Sequence, residues 1–234
     1  MGSNSINVLD KGFVDLQDVF GNETTIVNAA RVSYGKQKND FDESDAKLLG
    51  YLIREKHWSP FRHVFFRFHI KAPEIVLRQW YKHVVGAEWS AQASQLHGWN
   101  EISGRYIEMN EFYIPTEWRQ QSKSSKQGSE GVFETSVSSG FSNQYTTIID
   151  ETMKFYHYLC DVGVAKEQAR LILPLSIYTE VIWTASFQCV MNFLDLRLDT
   201  HSQLEIREYA KAIEEHLKTS LPTLYEIWLR EKQK

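Results

Sequence analysis

Apolar and polar positions alternate most cleanly in HVFFRFHI, residues 63–70. Val64, Phe66, Phe68 and Ile70 fall on one side, and His63, Phe65, Arg67 and His69 on the other. A period of two predicts a strand with one face in a core. INVL (6–9) and FVDLQDV (13–19) predict two more strands, with a turn signal at Asp10-Lys11-Gly12 between them. IEMNEFYIP (107–115) predicts another.

Elsewhere the period is helical. Thr24 to Val32 predicts a short helix. Ser44 to Lys56 places Ala46, Leu49, Leu52 and Ile53 on one stripe, with Ser44 as N-cap. Pro60 closes that helix into HWSPFRH, and Pro73 suits the first turn of the next. This one is predicted to run to Val85 on a stripe of Ile75, Val76, Trp80 and Val84, with Arg78, Gln79, Lys82 and His83 gathered as polar groups. Gln144 to Asp161 keeps Tyr145, Ile148, Ile149, Thr152, Tyr156 and Leu159 in register, with Gly163 as a stop. Ala165 to Leu173 is a short helix ending at Pro174. Tyr178 to Leu196, apolar on most sides, is expected to be a buried helix. His201 to Lys218 is amphipathic through Ile206, Tyr209, Ile213 and Leu217, and Pro222 opens a last helix.

Strands therefore lead and helices follow, without βα alternation. This predicts an α+β fold: a small mixed or antiparallel sheet with a helical C-terminal half. The 234 residues suffice for one core, so residues 1–234 are expected to be a single domain. Residues 119–140, with RQQSKSSKQGSEG, have the composition of a flexible insertion loop.

The net charge of −4 argues against a general nucleic-acid binder, which needs a broad basic face, but leaves room for a small anion held by a few arginines. Cys160 and Cys189 both lie in apolar contexts without metal-ligand spacing. The expectation is a reduced, cytoplasmic chain with no metal. The polar start suggests no signal peptide, and no apolar run reaches the ~18 residues of a membrane span.

NEISGRY, residues 100–106, packs Asn100, Glu101, Ser103, Gly104 and Arg105 together. It reads either as an ordinary turn with a surface ion pair or as a phosphate cradle made of a hydroxyl, backbone N–H groups and a guanidinium. Arg170 in QARLILP and Arg197 in NFLDLR stand among apolar residues. Each requires an anionic partner, which for Arg197 is either a ligand or a neighbouring acid, Asp195 or Asp199. No GxGxxG or P-loop is present, no Ser-His-Asp arrangement is suggested, and neither cysteine has an activating neighbourhood. What remains is arginines, amides and hydroxyls, a set suited to holding a nucleotide-like anion while a cofactor does the hard chemistry.

RQWYKH, NEISGRY with EFYIP, QARLILPLSIYT and WTASFQCVMNFLDLR occur in the order found in the flavin-dependent thymidylate synthases. The chain resembles that family from INVLDKGF to its C-terminal helix. The resemblance implies conversion of dUMP to dTMP with FAD, NADPH and methylenetetrahydrofolate, in a homotetramer with shared active sites. It implies a dUMP site of Gln79, Lys82, Glu101, Ile102, Ser103, Gly104, Arg105, Arg170 and Arg197, with Ser103 to Arg105 at the phosphate. Arg197 is implied as the catalytic group polarising the uracil. FAD contacts are implied at Ser59, Lys82, His83, Val84, Glu101, Ser186, Gln188 and Asn192, and a folate neighbour at His57.

The departures from the family motif RHRxxSxNExSxRY are specific. Its RHR is Lys82-His83-Val84 here, and sixteen residues separate His83 from Asn100 where the motif has about five. The family's Asn-x-Arg is Ser186-Phe187-Gln188, and an acidic position after the WSP loop is Arg62. Charge balance predicts that Arg62 and Lys123 or Lys126 replace the lost flavin cations. The insertion either covers the site, with Trp89, His97 or Trp99 stacking on a ring, or merely extends a helix or packs at a subunit contact. Two other outcomes of the same dUMP site are hydroxymethylation and nucleotide binding without catalysis.

Overall fold

The computed structural model describes residues 4–86, 98–124, 126 and 128–232. Its centre is a five-stranded sheet, every neighbouring pair antiparallel, in the order Ser5–Val8 (β1), Gly12–Phe20 (β2), Phe65–Pro73 (β3), Tyr178–Ser186 (β7), Gly98–Glu101 (β4). β1 (Ser5–Val8) and β2 (Gly12–Phe20) form the expected hairpin. β3 (Phe65–Pro73) carries the alternation as read: Val64, Phe66, Phe68 and Ile70 are fully buried. Burying side chains of this size contributes roughly 1.5–3 kcal/mol each.

The largest correction concerns Tyr178 to Leu196. Tyr178–Ser186 is β7, a central strand pairing β3 along its whole length, and only Phe187–Arg197 is helical. Val181, Trp183 and Ala185 are buried on one face of β7, while Glu180, Ile182 and Thr184 are half-buried on the other. Strand and helix are both apolar and join without a loop, so together they mimic one buried helix. Ser186 ends the strand, and its hydroxyl caps the helix by accepting from Cys189 N at 3.3 Å. The sheet thus draws on both halves of the chain. β4 (Gly98–Glu101) adds to its far edge, against Thr184 to Val181.

The helices come in chain order. α1 is Glu23–Arg31 and α2 is Glu43–Arg54. Asp42, not Ser44, caps α2, accepting from Ser44 N and Asp45 N. The carboxylate adds charge complementarity to the helix N-terminus. α3 ends early, spanning Glu74–Trp80. Val76, Leu77 and Trp80 form its buried side, while Ile75 and Val84 are exposed. The segment 119–140 is only partly irregular: β5 (Arg119–Gln121) and β6 (Ser129–Val132) make a second, two-stranded sheet, and α4 (Thr135–Asp161) begins nine residues before Gln144. The strand expected over 107–115 reduces to a single bridge, Phe112 to Ile177. α5 (Lys166–Ala169), α6 (Phe187–Arg197), α7 (Leu204–Ser220) and α8 (Pro222–Lys232) complete the chain.

One core joins the inner sheet face to α3, α6, α7 and α8. Trp80 stacks on Phe193 at 4.4 Å between ring centres and meets Trp183 and Tyr209 edge-on. This aromatic cluster fixes α3 against α6, the two elements that carry Gln79 and Arg197. Gly12 starts β2 directly beneath the Tyr209 hydroxyl, which donates to Lys71 O at 2.8 Å, so a side chain there would collide. A smaller cluster of Phe112, Ile149 and Ile177 seats α4. No described helix is long and apolar enough to cross a membrane.

Candidate active site

Arg197, the last residue of α6, lies where two clefts meet. One, of about 710 Å³, is bordered by Gln79, Arg119, Ser129, Asp199, Gln203 and Arg207. The other, of about 460 Å³, is bordered by Lys82, His83, Val84, Val85, Asn192 and Leu196. α6 supplies Asn192 and Arg197, and the turn after α3 supplies residues 82–85.

The guanidinium of Arg197 is held through its Nε, which donates to His83 Nε2 at 3.0 Å. That nitrogen can accept only if the imidazole is neutral there. Burial, and then the Arg197 charge, push the His83 pKa down to about 4. The ring is wedged edge-on to Phe193 at 5.1 Å, and the backbone oxygen of His83 accepts from Cys189 Sγ. The alternative of an ion pair with a neighbouring acid is overturned. Asp195 pairs with Lys232 at 2.7 Å, and Asp199 binds His201 at 2.8 Å. Among the described residues Arg197 has no carboxylate partner, so its two Nη groups carry an unneutralised charge into the clefts.

Gln79 borders the same cleft as Arg197. Its Nε2 donates to Gln203 Oε1 at 2.6 Å and to Ile75 O at 3.3 Å. Lys82 and Val84 are exposed on the second cleft, and Asn192 Nδ2 donates to Val85 O at 3.4 Å.

A second group assembles at NEISGRY. Glu101 ends β4, where its Oε1 accepts from Thr179 Oγ1 at 2.9 Å. Its charge, after burial, raises the Glu74 pKa above the ordinary range. Ile102 N donates to Glu180 O at 3.0 Å, tying the segment to β7. Ser103 O accepts from Tyr106 N and Ile107 N, closing a tight turn, and Ser103 Oγ accepts from Arg105 N at 3.3 Å. Gly104 is buried in that turn. A Cβ there would stand 3.1 Å from Met109 Sδ and 3.7 Å from the Arg170 side chain. Arg105 lies exposed over the Tyr106 ring at 5.6 Å. Neither Arg105 nor Arg170 pairs with a carboxylate among the described residues, so two more free guanidinium groups meet at one turn. The reading of this stretch as a surface ion pair fails.

A third group surrounds Gln188. It is buried on α6, and its Oε1 accepts from Arg62 Nε at 2.6 Å. Gly86, in the left-handed region at φ 81°, brings its Cα so close that a Cβ would lie 2.9 Å from Gln188 Oε1. Ser186 is fully buried, its hydroxyl shared between the Gly86 carbonyl and the cap of α6. Its side chain is therefore committed to structure. Ser59 is exposed on a short 3₁₀ turn, and His57 is exposed, stacked on Tyr51 at 5.9 Å.

Among the described residues, the two clefts at Arg197 are lined by none of Glu101, Ser103, Gly104, Arg105, Arg170, Ser59 or His57. Lys123 and Lys126 belong to the connection between β5 and β6, which reaches the Gln79 cleft through Gly128 and Ser129. Trp99 packs edge-on to Tyr81 at 6.5 Å, while Trp89 and His97 lie outside the described residues. Arg119, Gln203 and Arg207 border the nucleotide-sized cleft without having been singled out from the sequence. Their signal, polar residues at the start of α7 and one arginine in a serine-rich stretch, is too common to stand out.

The chain is similar to known proteins in sequence and in fold. The family model described as "Thymidylate synthase complementing protein" (Thy1) matches residues 15–223. The chain belongs to the Thy1 family. Among Thy1 relatives, a flavin-dependent thymidylate synthase of Kosmotoga olearia is 41% identical, covering 96% of this chain and 93% of its own. That of Thermus thermophilus is 43% identical over 94% of this chain and 77% of its own. The UMP/dUMP methylase PolB of Streptomyces cacaoi, solved with 5-Br dUMP, superimposes with a TM-score of 0.80 at 29% identity, covering 96% of this chain and 97% of PolB. The Thy1 fold is thus present over nearly the full length.

Proposed function

We propose that this chain is a flavin-dependent thymidylate synthase, methylating dUMP reductively to dTMP with methylenetetrahydrofolate as carbon donor and NADPH as reductant through FAD. The observation that carries this reading is the unneutralised Arg197 guanidinium at the junction of two clefts, held by a neutral His83. A fixed positive charge beside a uracil stabilises the negative charge that develops when the ring is polarised for carbon–carbon bond formation. Because its Nε is already anchored, Arg197 needs little reorganisation to do so.

The residues suit a flavin. The smaller cleft combines apolar walls at Val84, Val85 and Leu196 with donors at Lys82, Asn192 and Arg197, the surroundings a flat ring with polar edges requires. Lys82, His83, Val84 and Asn192 would hold it there, with Gln188, Ser59, Glu101 and the backbone at Ser186 as further contacts. Bound, the flavin supplies the reducing equivalents. Lys82 offers a charge but not the bidentate fork of the family's arginine. Arg62 donates to Gln188, which supports its guanidinium as a replacement for a family flavin cation.

Ser103, Gly104 and Arg105, with Arg170, form the phosphate end of the dUMP site, and Gln79, Lys82, Glu101 and Ile102 complete it. His57 faces the folate. The NEISGRY turn and the Arg197 clefts are separate groups within one chain. We therefore infer a homotetramer in which the turn of one subunit completes the clefts of another, acting in the cytoplasm.

Product analysis tests the function. After anaerobic incubation with dUMP, methylenetetrahydrofolate, FAD and NADPH, mass spectrometry should show dTMP, and Arg197→Ala should show none. Hydroxymethyl-dUMP or unaltered dUMP from the wild type would overturn the reading.

A further inference from the structure

One wall of the Arg197 cleft has hydrogen bonds that all run in one direction. Glu205 is buried in the first turn of α7, and an ionised carboxylate can only accept. Arg119 Nη2 donates to its two oxygens at 2.8 and 2.9 Å, and the Tyr113 hydroxyl donates to Oε1 at 3.5 Å. Gln203 Nε2 donates to Oε2 at 2.8 Å. Burial raises the Glu205 pKa, but Arg119 and then Gln203 outweigh it and hold the group below the ordinary carboxylate range.

A carboxamide has a donor end and an acceptor end. With its donor end committed to Glu205, Gln203 turns Oε1 toward α3 and accepts from Gln79 Nε2 at 2.6 Å. The Gln79 NH₂ group also donates to Ile75 O at 3.3 Å, so both of its N–H groups are directed. Its Oε1 is left, and the described residues provide it no donor. The charge on Glu205 thus decides, through one intervening amide, which end of Gln79 is offered to a ligand.

We propose that Gln203 and Glu205 are positioning residues for nucleotide recognition, fixing the Gln79 carboxamide so that it presents an acceptor to an N–H or O–H group of the bound nucleotide. The opposite orientation would present donors and select for a carbonyl. The inference rests on the dUMP reading. It names the ring N–H and the sugar hydroxyl as the two groups of dUMP able to satisfy Gln79.

Calorimetry on the FAD-loaded protein tests it with dUMP, N3-methyl-dUMP and 2′,3′-dideoxyuridine monophosphate. The proteins are wild type, Gln79→Ala, Gln203→Leu, the double variant and Glu205→Gln. Gln203→Leu should weaken dUMP binding about tenfold, since one oriented hydrogen bond is at stake, with no added effect when Gln79 is already alanine. One analogue should bind the wild type more weakly than dUMP and lose that handicap in Gln203→Leu. Glu205→Gln keeps the shape but can donate as well as accept, so its effect should be smaller and of the same kind. Equal loss from Gln203→Leu with and without Gln79, or wild-type affinity in both Gln203→Leu and Glu205→Gln, overturns the proposal alone. So does equal wild-type affinity for all three nucleotides. Failure of the wild type to bind dUMP overturns it together with the functional reading.

Discussion

Replacing His83 with glutamine separates the two jobs of its imidazole. A glutamine can still accept from Arg197, but it cannot take up a proton. In the wild type, burial and the neighbouring arginine lower the His83 pKa from its ordinary 6.5 to about 4. A histidine depressed in the folded state resists protonation there and accepts it when unfolded. Its contribution to stability is fully present above the ordinary value and is lost as pH falls from there toward the folded value. Between about pH 7.5 and about pH 5 the linkage relation gives a loss of about 2 kcal/mol. The residue is 9% exposed, and screening at that exposed edge brings the expected loss to about 1–2 kcal/mol. Urea unfolding of wild type and His83→Gln at both pH values measures it. Carboxylates and His216, which is also buried, affect both proteins alike and cancel in the difference. The wild type should lose about 1–2 kcal/mol more than the variant on acidification. Parallel behaviour of the two proteins would refute the assignment of a neutral, buried His83, and with it the account of how Arg197 is held.

Arg197→Ala should lower kcat at least about a hundredfold while leaving the circular dichroism unchanged, because the guanidinium supports no ion pair among the described residues. Arg62→Ala should weaken FAD binding, read by flavin fluorescence, and so should Lys123→Ala combined with Lys126→Ala. Unchanged affinity in both proteins would end the idea of replacement cations. Gly12→Ala should destabilise by roughly 1–3 kcal/mol in urea unfolding, since the added methyl meets the Tyr209 hydroxyl and the carbonyls of Lys71 and Val8. A stability change below a few tenths would contradict that packing.

Local patterns were legible where one physical cause dominated. The alternation of residues 63–70 arises from one buried face and survives intact in β3. The stripe of α7 through Ile206, Tyr209, Ile213 and Leu217 likewise matches its buried side. The reading failed where two elements share composition, as at β7 and α6, because burial on both sides removes the contrast that periodicity needs. It also failed at Arg119 to Gln121 and Ser129 to Val132, where two largely exposed short strands, RQQ and SEGV, have no apolar face. Of the residues lining the two clefts, Arg197, His83 and Gln79 stood out in the sequence because their motif blocks are short and ordered. Arg119 and Gln203 did not, nor did Glu205, since their contacts join residues up to 124 positions apart.

The direct passage from β7 into α6 has a consequence for how this chain can vary. A single residue inserted or deleted at the junction would rotate Arg197 about the helix axis by roughly 100° and shift it about 1.5 Å along it. That would turn the guanidinium away from His83 while every strand pairing remained in place. Length changes at residues 186–187 are therefore forbidden by geometry alone. The sixteen residues between His83 and Asn100 lie in sequence between α3 and β4, outside that junction, so a change of length there leaves the register of α6 untouched.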